Sequence, residues 1–351
     1  NELEGILQFV SRGGAYFICQ NIEKDIFIHS SKLKNSLNGD KVLVKTLIFK
    51  GKTEGQVVKV IERGKTEYIG LIEKSNDFYF LRPDDRALNL DFYIDKKHLG
   101  GAKDGQKVKV KFLSWPKGVK SPQAAVVDVL GTPGELNVEM NSILAEFGFP
   151  LKFPNKVNVE AELIEEPNYD AEAKNRKDFR DITTFTIDPV DAKDFDDALS
   201  YRELKNGNIE VGIHIADVGH YVKENSHLDK EAFYRANSVY LVDRVIPMLP
   251  EKLSNKLCSL RPHEDKLTFS AVFELSSIAE VKNSWFGKTI IHSNHRFSYE
   301  EAQSIIEGEK NDLDKEVLSL NRLAEILRKK RMEKGALNVE SQEVRFQLDE
   351  T

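Results

Sequence analysis

Five carboxylates fall within ten residues in the run Thr186-Ile187-Asp188-Pro189-Val190-Asp191-Ala192-Lys193-Asp194-Phe195-Asp196-Asp197-Ala198. Like charges this dense raise one another's proton affinity unless a cation neutralises them. A hard divalent ion with oxygen ligands does so, and Mg²⁺ typically takes one or two carboxylates together with phosphate and water. Carboxylate-held Mg²⁺ supplies both a Lewis acid and an activated water, so the cluster points to phosphodiester hydrolysis. A solvated acidic loop is the plainer alternative. Against it, Ile187, Ala192, Phe195 and Ala198 interleave apolar residues among the acids, as a loop anchored in a core requires. A calcium-binding helix–loop–helix fails on spacing: counted from Asp188, the third and fifth positions are Val190 and Ala192, the sixth is Lys193 and the twelfth Leu199. In an extended backbone Asp196 and Asp197 would point to opposite sides, one to ligate metal and the other to orient water or a second ion. Spacing alone does not divide those roles.

Such a loop needs strands to carry it. Residues 183–187 alternate like a strand and deliver Asp188, and residues 209–218 read as a buried strand bearing His214 and Asp217. A lone histidine there reads as a hydrogen-bonded core residue ahead of a ligand. The apolar spacing of Leu136, Met140, Ile143, Leu144 and Phe147 predicts a helix over 135–147, ended by Gly148-Phe149-Pro150. Residues 165–180 read as a charged helix or linker, with most of Lys174, Arg176, Lys177 and Arg180 on a solvated face. Residues 313–330 read as an amphipathic helix with a basic tail, used for packing.

The first 131 residues read instead as strands and turns, and they repeat. Gly5-Ile6-Leu7 matches Gly70-Leu71-Ile72, Tyr16-Phe17 matches Tyr79-Phe80, Asp25-Ile26-Phe27-Ile28 matches Asp91-Phe92-Tyr93-Ile94, and Gly39-Asp40-Lys41-Val42 matches Gly105-Gln106-Lys107-Val108. The offsets are 65, 63, 66 and 66 residues. Two tandem domains of ~65 residues follow, the size of a five-stranded, partly open barrel whose strand 2–3 face often binds oligonucleotides. Exposed aromatics for base stacking and nearby cations are what such a face needs. Arg12, Tyr16, Phe17, Phe27 and His29 are the candidates, with core filling as the competing use of each aromatic.

Charge is divided along the chain. The 351 residues carry a net charge of −6, but residues 1–131 hold 22 Lys and Arg against 16 Asp and Glu, and the remainder 29 against 41. A mildly basic third thus precedes an acidic remainder of net −12, which suggests two jobs. No apolar run reaches the ~20 residues of a membrane span, and no export signal opens the chain. Cys19 and Cys258 form no pair motif, so a cytoplasmic setting is expected. The absent initiator Met and the ending Gln347-Leu348-Asp349-Glu350-Thr351 suggest a fragment of a longer protein.

The stretch Gly14-Ala15-Tyr16-Phe17-Ile18 with Asp25-Ile26-Phe27-Ile28-His29 and Leu37-Asn38-Gly39-Asp40-Lys41-Val42 resembles the RNA-binding strands of cold-shock domains. The second copy is a weaker match and carries Asp95 where His29 stands. The aspartate motif, His214-Ile215-Ala216-Asp217-Val218, Val245-Ile246-Pro247-Met248-Leu249-Pro250 and Leu253-Ser254-Asn255, in this order, closely resemble the catalytic domain of the ribonuclease II / ribonuclease R family. That resemblance implies a multidomain chain: OB-fold, cold-shock-like barrels at 1–66 and 67–131, a linker with helices at 132–179, and an incomplete mixed α/β catalytic domain at 180–351. It implies a Mg²⁺-dependent, processive 3′-to-5′ exoribonuclease acting on single-stranded RNA, ribonuclease R type, releasing nucleoside 5′-monophosphates, with no obligate protein partner. Asp196 then corresponds to the aspartate most critical for cleavage. Asp188 and Asp197 match direct Mg²⁺ ligands, and Asp194 supports the metal through its water shell. Tyr240 matches the tyrosine that packs on the terminal nucleotides. The family's catalytic domain normally continues past Thr351 to a further RNA-binding barrel, the S1 domain. The competing reading is a non-catalytic RNA-binding protein that retains the fold.

Overall fold

The computed structural model describes residues 2–10, 13–20, 22, 24–49, 52–85, 88 and 90–338. Arg12 lies outside the described residues. The chain divides into two units, residues 1–151 and 152–351.

The first unit holds both barrels. In the first, β1 (Glu2–Phe9), β2 (Ala15–Ile18), β3 (Ile26–Ile28), β4 (Lys41–Phe49) and β5 (Lys52–Glu62) form one sheet in the order β3-β2-β1-β4-β5. In the second, β6 (Glu67–Ser75), β7 (Phe78–Pro83), β8 (Phe92–Ile94), β9 (Lys107–Ser114) and β10 (Gln123–Gly131) close into a barrel. Alternation fills each interior: Leu7, Phe17, Ile28, Val42 and Val44 in one, Ile72, Leu81, Phe92, Ile94 and Val108 in the other. The same glycine serves both. A Cβ on Gly5 would meet the Ile18 carbonyl at 2.3 Å, and one on Gly70 the Arg82 carbonyl at 2.1 Å, so strands one and two cross too closely for a side chain.

The repeat is real, but its second block is slipped by one residue. Leu7 pairs with Phe17 and Ile72 with Leu81, so Phe17 corresponds to Leu81 and Tyr16 to Phe80, an offset of 64. Side chains alternate, so the one-residue slip in the expected 63-residue match exchanges the inner and outer faces.

Helix α1 (Leu136–Glu146) belongs to this unit, tied down by an ion pair from Lys107 to Glu139 at 2.7 Å. A buried carboxylate ties the chain just before β4 to the chain just after β5. Asp40 is fully buried and accepts from the backbone N–H groups of Leu37 (2.7 Å) and Gly64 (3.1 Å) and from Arg63 Nη1 (2.6 Å). Burial pushes its pKa up, against the pull of those N–H groups and of Arg63.

The second unit is a seven-stranded sheet with helices. Its strands are β11 (Lys177–Phe179), β12 (Thr184–Asp188), β13 (Asp197–Glu203), β14 (Ile209–Ala216), β17 (Asp265–Leu275), β18 (Val281–His292) and β19 (His295–Ser298), ordered β11-β18-β17-β14-β13-β12-β19. A separate ribbon pairs β15 (Val239–Tyr240) with β16 (Val245–Ile246). One core gathers Ala198, Ala216, Val272 and Ile291 with Leu228 of α5 (His227–Arg235) and Val157 and Ala161 of α2 (Asn155–Leu163). Other clusters pack α6 (Tyr299–Ile306) and α7 (Asp314–Glu333) on Phe185, Phe297, Tyr201 and Val211. Short α3 (Tyr169–Glu172) and α4 (Val218–Tyr221) complete the helices described. Among the described residues no helix is long and apolar enough to cross a membrane.

The segment 165–180 is neither one long helix nor a solvated linker. It forms α3, a 3₁₀ turn and edge strand β11, and Arg176 is buried in ion pairs with Asp217 (2.8 Å) and Glu172 (3.0 Å).

Replacing Asp40 with Ala strands Arg63 and two N–H groups. This should cost about 3 kcal/mol, read as a lower urea midpoint for the first unit. Asp40→Asn keeps an acceptor and should lose less; equal midpoints for Ala and wild type would refute the clasp.

Candidate active site

The aspartate loop joins two neighbouring antiparallel strands. Strand β12 ends at Asp188 and β13 begins at Asp197, and their pairing of Phe185 with Leu199 sets these two ends side by side. The loop between them is fixed from elsewhere in the chain. The Ser259 hydroxyl accepts from the Phe195 N–H (3.0 Å) and donates to the Lys193 carbonyl (3.1 Å), while the Leu260 N–H donates to the Phe195 carbonyl (2.8 Å). Ser259 follows a π-helical turn, Leu253–Leu257, a rare widening often found near functional sites. Phe195 itself is buried in the core, as the interleaved apolar pattern predicted.

Four of the five carboxylates interact. Burial pushes the Asp188 pKa up, Asp197 and Asp194 push it further, and Thr186 and Arg296 hold it back. Enclosure by neighbouring atoms also raises Asp196, with Asp194, Asp197 and Asp188 adding to it. Asp188 Oδ2 is buried without a hydrogen-bond partner. Asp191 stands exposed in the loop. Tyr240 on β15 donates its hydroxyl to Asp194 Oδ2 (3.1 Å) while 64% of the side chain stays exposed, and burial with the charge of Asp194 raises its pKa. The ribbon therefore presents an aromatic ring at the rim of the carboxylates.

This donor set fits a hard divalent cation. It is oxygen-only, carries mutual repulsion that a cation would relieve, and holds one buried oxygen uncommitted. Among the described residues no three or more His, Cys, Asp or Glu side chains are grouped so that they could hold a metal ion together. Mg²⁺ commonly binds through one or two carboxylates and keeps several waters, so it needs no such cage.

His214 is no part of the donor set. It is fully buried in β14, with Nδ1 2.6 Å from Ser270 Oγ and Nε2 2.8 Å from Ser200 Oγ. Gly212 makes room for it: an added Cβ would lie 2.3 Å from Ser200 Oγ and 2.5 Å from the His214 ring. Burial pushes the His214 pKa down to about 4, so the ring is neutral. The expectation of a core histidine holds.

On the first barrel the candidates separate by face. Tyr16 and Phe27 are 43% and 41% exposed and meet edge to face at 5.5 Å, on paired positions of β2 and β3. Phe17 lies between Tyr16 and Ile18 and points inward, with no exposed surface. It is core filler, and its placement among the RNA contacts is corrected: alternation cannot put both neighbours on one face. His29 is exposed, and its Nδ1 caps a 3₁₀ turn by accepting from the Ser31 N–H (3.4 Å). Asp95 caps the matching turn of the second barrel through the Lys97 N–H (3.1 Å). The second barrel repeats the aromatic pair with Phe80 and Tyr93 at 5.9 Å, which the slipped match had hidden.

Three family models match the chain: the RNB domain over residues 176–351, the Ribonuclease B OB domain over 5–60 and the Cold shock domain over 80–154. The first alone spans half the sequence.

The chain belongs to the ribonuclease II / ribonuclease R family.

Within this family, Ribonuclease R of Thermotoga maritima is 39% identical over 99% of the chain and 50% of its own length. The chain spans about half the length of the curated relatives it matches. Two solved structures share the fold. Ribonuclease R of Mycoplasma genitalium superposes with a TM-score of 0.87 at 24% identity, covering 99% of this chain and 56% of that one. Yeast Ssd1, described as a pseudonuclease, gives 0.68 at 20% identity, covering 95% and 48%. The expected architecture, OB-type barrels before a mixed α/β ribonuclease domain, is borne out. The cold-shock description attaches to the second barrel, the copy expected to match it less well.

The neutral His214 gives a pH dependence with a definite sign. Unfolded histidine binds a proton near pH 6.5, whereas the folded ring resists until about pH 4. Its contribution is complete above pH 6.5 and is lost as pH falls through that window, by about 2 kcal/mol at pH 5. Urea unfolding at pH 7 and pH 5 should show this loss in the parent and a smaller one in His214→Asn. An equal loss in both would sink the assignment.

Proposed function

We propose that the protein of which this chain forms part or all is a Mg²⁺-dependent 3′-to-5′ exoribonuclease of the ribonuclease R type. It degrades single-stranded RNA to nucleoside 5′-monophosphates. The supporting observation is that Asp188, Asp194, Asp196 and Asp197 lie near enough to act on one another's charge, that Asp188 Oδ2 is buried and uncommitted, and that Tyr240 is hydrogen-bonded to Asp194.

In this reading Asp188 and Asp197 hold Mg²⁺, with Asp194 supporting it. Bound there, the ion supplies charge neutralisation at the phosphate and an acidified water. Asp196 is the carboxylate that orients the attacking water, and desolvation together with the neighbouring aspartates raises its proton affinity above that of an ordinary carboxylate. Asp194 also holds the Tyr240 hydroxyl, which fixes the ring that packs against the terminal nucleotide. Without a cation the carboxylates repel phosphate, so binding at this point and hydrolysis are coupled.

The first barrel binds the RNA strand on the face of Tyr16, Phe27 and His29, and the Phe80–Tyr93 pair supplies an equivalent face on the second. Arg12 is the accompanying cation in this proposal. The competing reading is a non-catalytic RNA binder that retains the fold. It leaves the mutual repulsion of four neighbouring acids, one of them buried, without a use.

Mg²⁺ and 3′-tailed single-stranded RNA should yield nucleoside monophosphates, and EDTA or Asp196→Asn should abolish the release while leaving RNA bound. Release that persists in either case rules out the metal–aspartate mechanism; RNA binding by the parent without release favours the non-catalytic reading.

Tyr16→Ala and Phe27→Ala should each weaken RNA binding by about 1–3 kcal/mol with little change in stability. Phe17→Ala should instead destabilise the first barrel by about 3–5 kcal/mol. Calorimetric unfolding and an RNA-binding titration on the three variants separate a stacking face from a core.

A further inference from the structure

One hold on the aspartate loop comes from the outermost strand of the sheet. Arg296 lies on β19, level with Thr186 of β12, while Ser298 lies level with Asp188. Its Nη2 donates to the carbonyl of Pro189, the residue that follows Asp188. The guanidinium carbon lies 5.6 Å from the ring centre of Phe195, the residue between Asp194 and Asp196. Arg296 therefore touches the loop at both ends. Phe195 is gripped twice, its backbone by Ser259 and Leu260 and its ring by Arg296.

The Ser298 N–H holds the Glu301 pKa down and the charge of Arg296 adds to that, but no ion pair accounts for the arginine's place. Among the described residues it makes no ion pair with a carboxylate, and its Nε is buried without a hydrogen-bond partner. Enclosing part of a guanidinium without a matching anion is unfavourable unless its place gives something in return. Its charge acts on Asp188, opposing the repulsion from the other aspartates. The planar group also suits this place in a way that an ammonium does not, since it can donate to a carbonyl and face a ring together.

We propose that Arg296 is a positioning residue for the reaction. By holding the Pro189 carbonyl and facing Phe195, it fixes the separation of Asp188 from Asp194, Asp196 and Asp197, and it stands as a permanent cation near Asp188. This rests on the exoribonuclease reading for its catalytic consequence, but the mechanical part does not. The Ala192 N–H, which donates to the Pro189 carbonyl at 3.0 Å, reports on the same turn.

The test compares Arg296→Ala and Arg296→Lys by hydrogen–deuterium exchange and by kinetics on single-stranded RNA with Mg²⁺. In the alanine variant, amides over 189–196 should exchange faster, while β14 and β17 keep their protection. Its kcat should fall by about 10²-fold, the scale of a small misplacement of reacting groups, with KM unchanged. The lysine variant keeps a donor for the carbonyl and should recover part of both losses. Unchanged exchange over 189–196 in a folded alanine variant overturns the proposal, as does a loss carried in KM alone. If the parent releases no monophosphates, the exoribonuclease reading fails, and the exchange comparison still decides whether Arg296 holds the loop. Should the alanine variant not fold, Arg296→Gln takes its place in the same comparison.

Discussion

Four carboxylates whose charges repel one another cannot hold themselves together, and the rest of the second unit is arranged around that constraint. The loop is short and its ends are fixed by adjacent strands, so Asp188 and Asp197 stay close whatever their charges prefer. Its middle is fixed by neutral groups, the Ser259 hydroxyl and the Leu260 amide. These anchors are insensitive to the charge state of the acids, so protonation or cation binding can change at the site without releasing the loop. The sheet beneath is braced by the Ser200–His214–Ser270 row, whose central ring is kept neutral by burial. A charged imidazolium there would add its own field to the site. A desolvated one would also be costly.

The two barrels show how one backbone solution tolerates different chemistry. The same glycine crossing and the same edge-to-face aromatic pair recur in both. The 3₁₀ turn after the third strand starts from nearly identical backbone angles, capped by His29 in one and Asp95 in the other. Either side chain accepts a backbone N–H, so the fold is indifferent to the exchange. An RNA strand is not, because Asp95 places a negative charge where the first barrel has an imidazole.

What could be read directly from the sequence was whatever lies close along the chain. The aspartate run, the strand before it and the tandem repeat each occupy a few dozen residues. The failures are long-range or depend on a single residue of register. Ser259 is 64 residues from Phe195, its hydrogen-bond partner, and no local pattern marks it as a loop anchor. Arg176 looked like one more charge on a polar stretch until β11 placed it against Asp217. Phe17 and Tyr16 are adjacent aromatics on a short strand, and composition cannot say which one faces in; the pairing with Leu7 does. The slip in the repeat arose in the same way, since Tyr79-Phe80 matches Tyr16-Phe17 in letters while the barrel interior selects Leu81.

Chemistry and fold are carried by different residues in this unit. None of Asp188, Asp194, Asp196 and Asp197 forms an ion pair with a lysine or arginine among the described residues, and Asp194 accepts a hydrogen bond from an exposed tyrosine. The sheet is held by apolar clusters and by the hydroxyl–imidazole row. A chain could therefore lose an acid and keep its architecture, and relief of repulsion would favour the folded state. Fold likeness alone, which extends here to a pseudonuclease, thus cannot distinguish an enzyme from a binder. The distinction rests on whether repelling groups have been kept together at a cost to stability. In this chain they have, and the acidic balance of its larger part includes that cost.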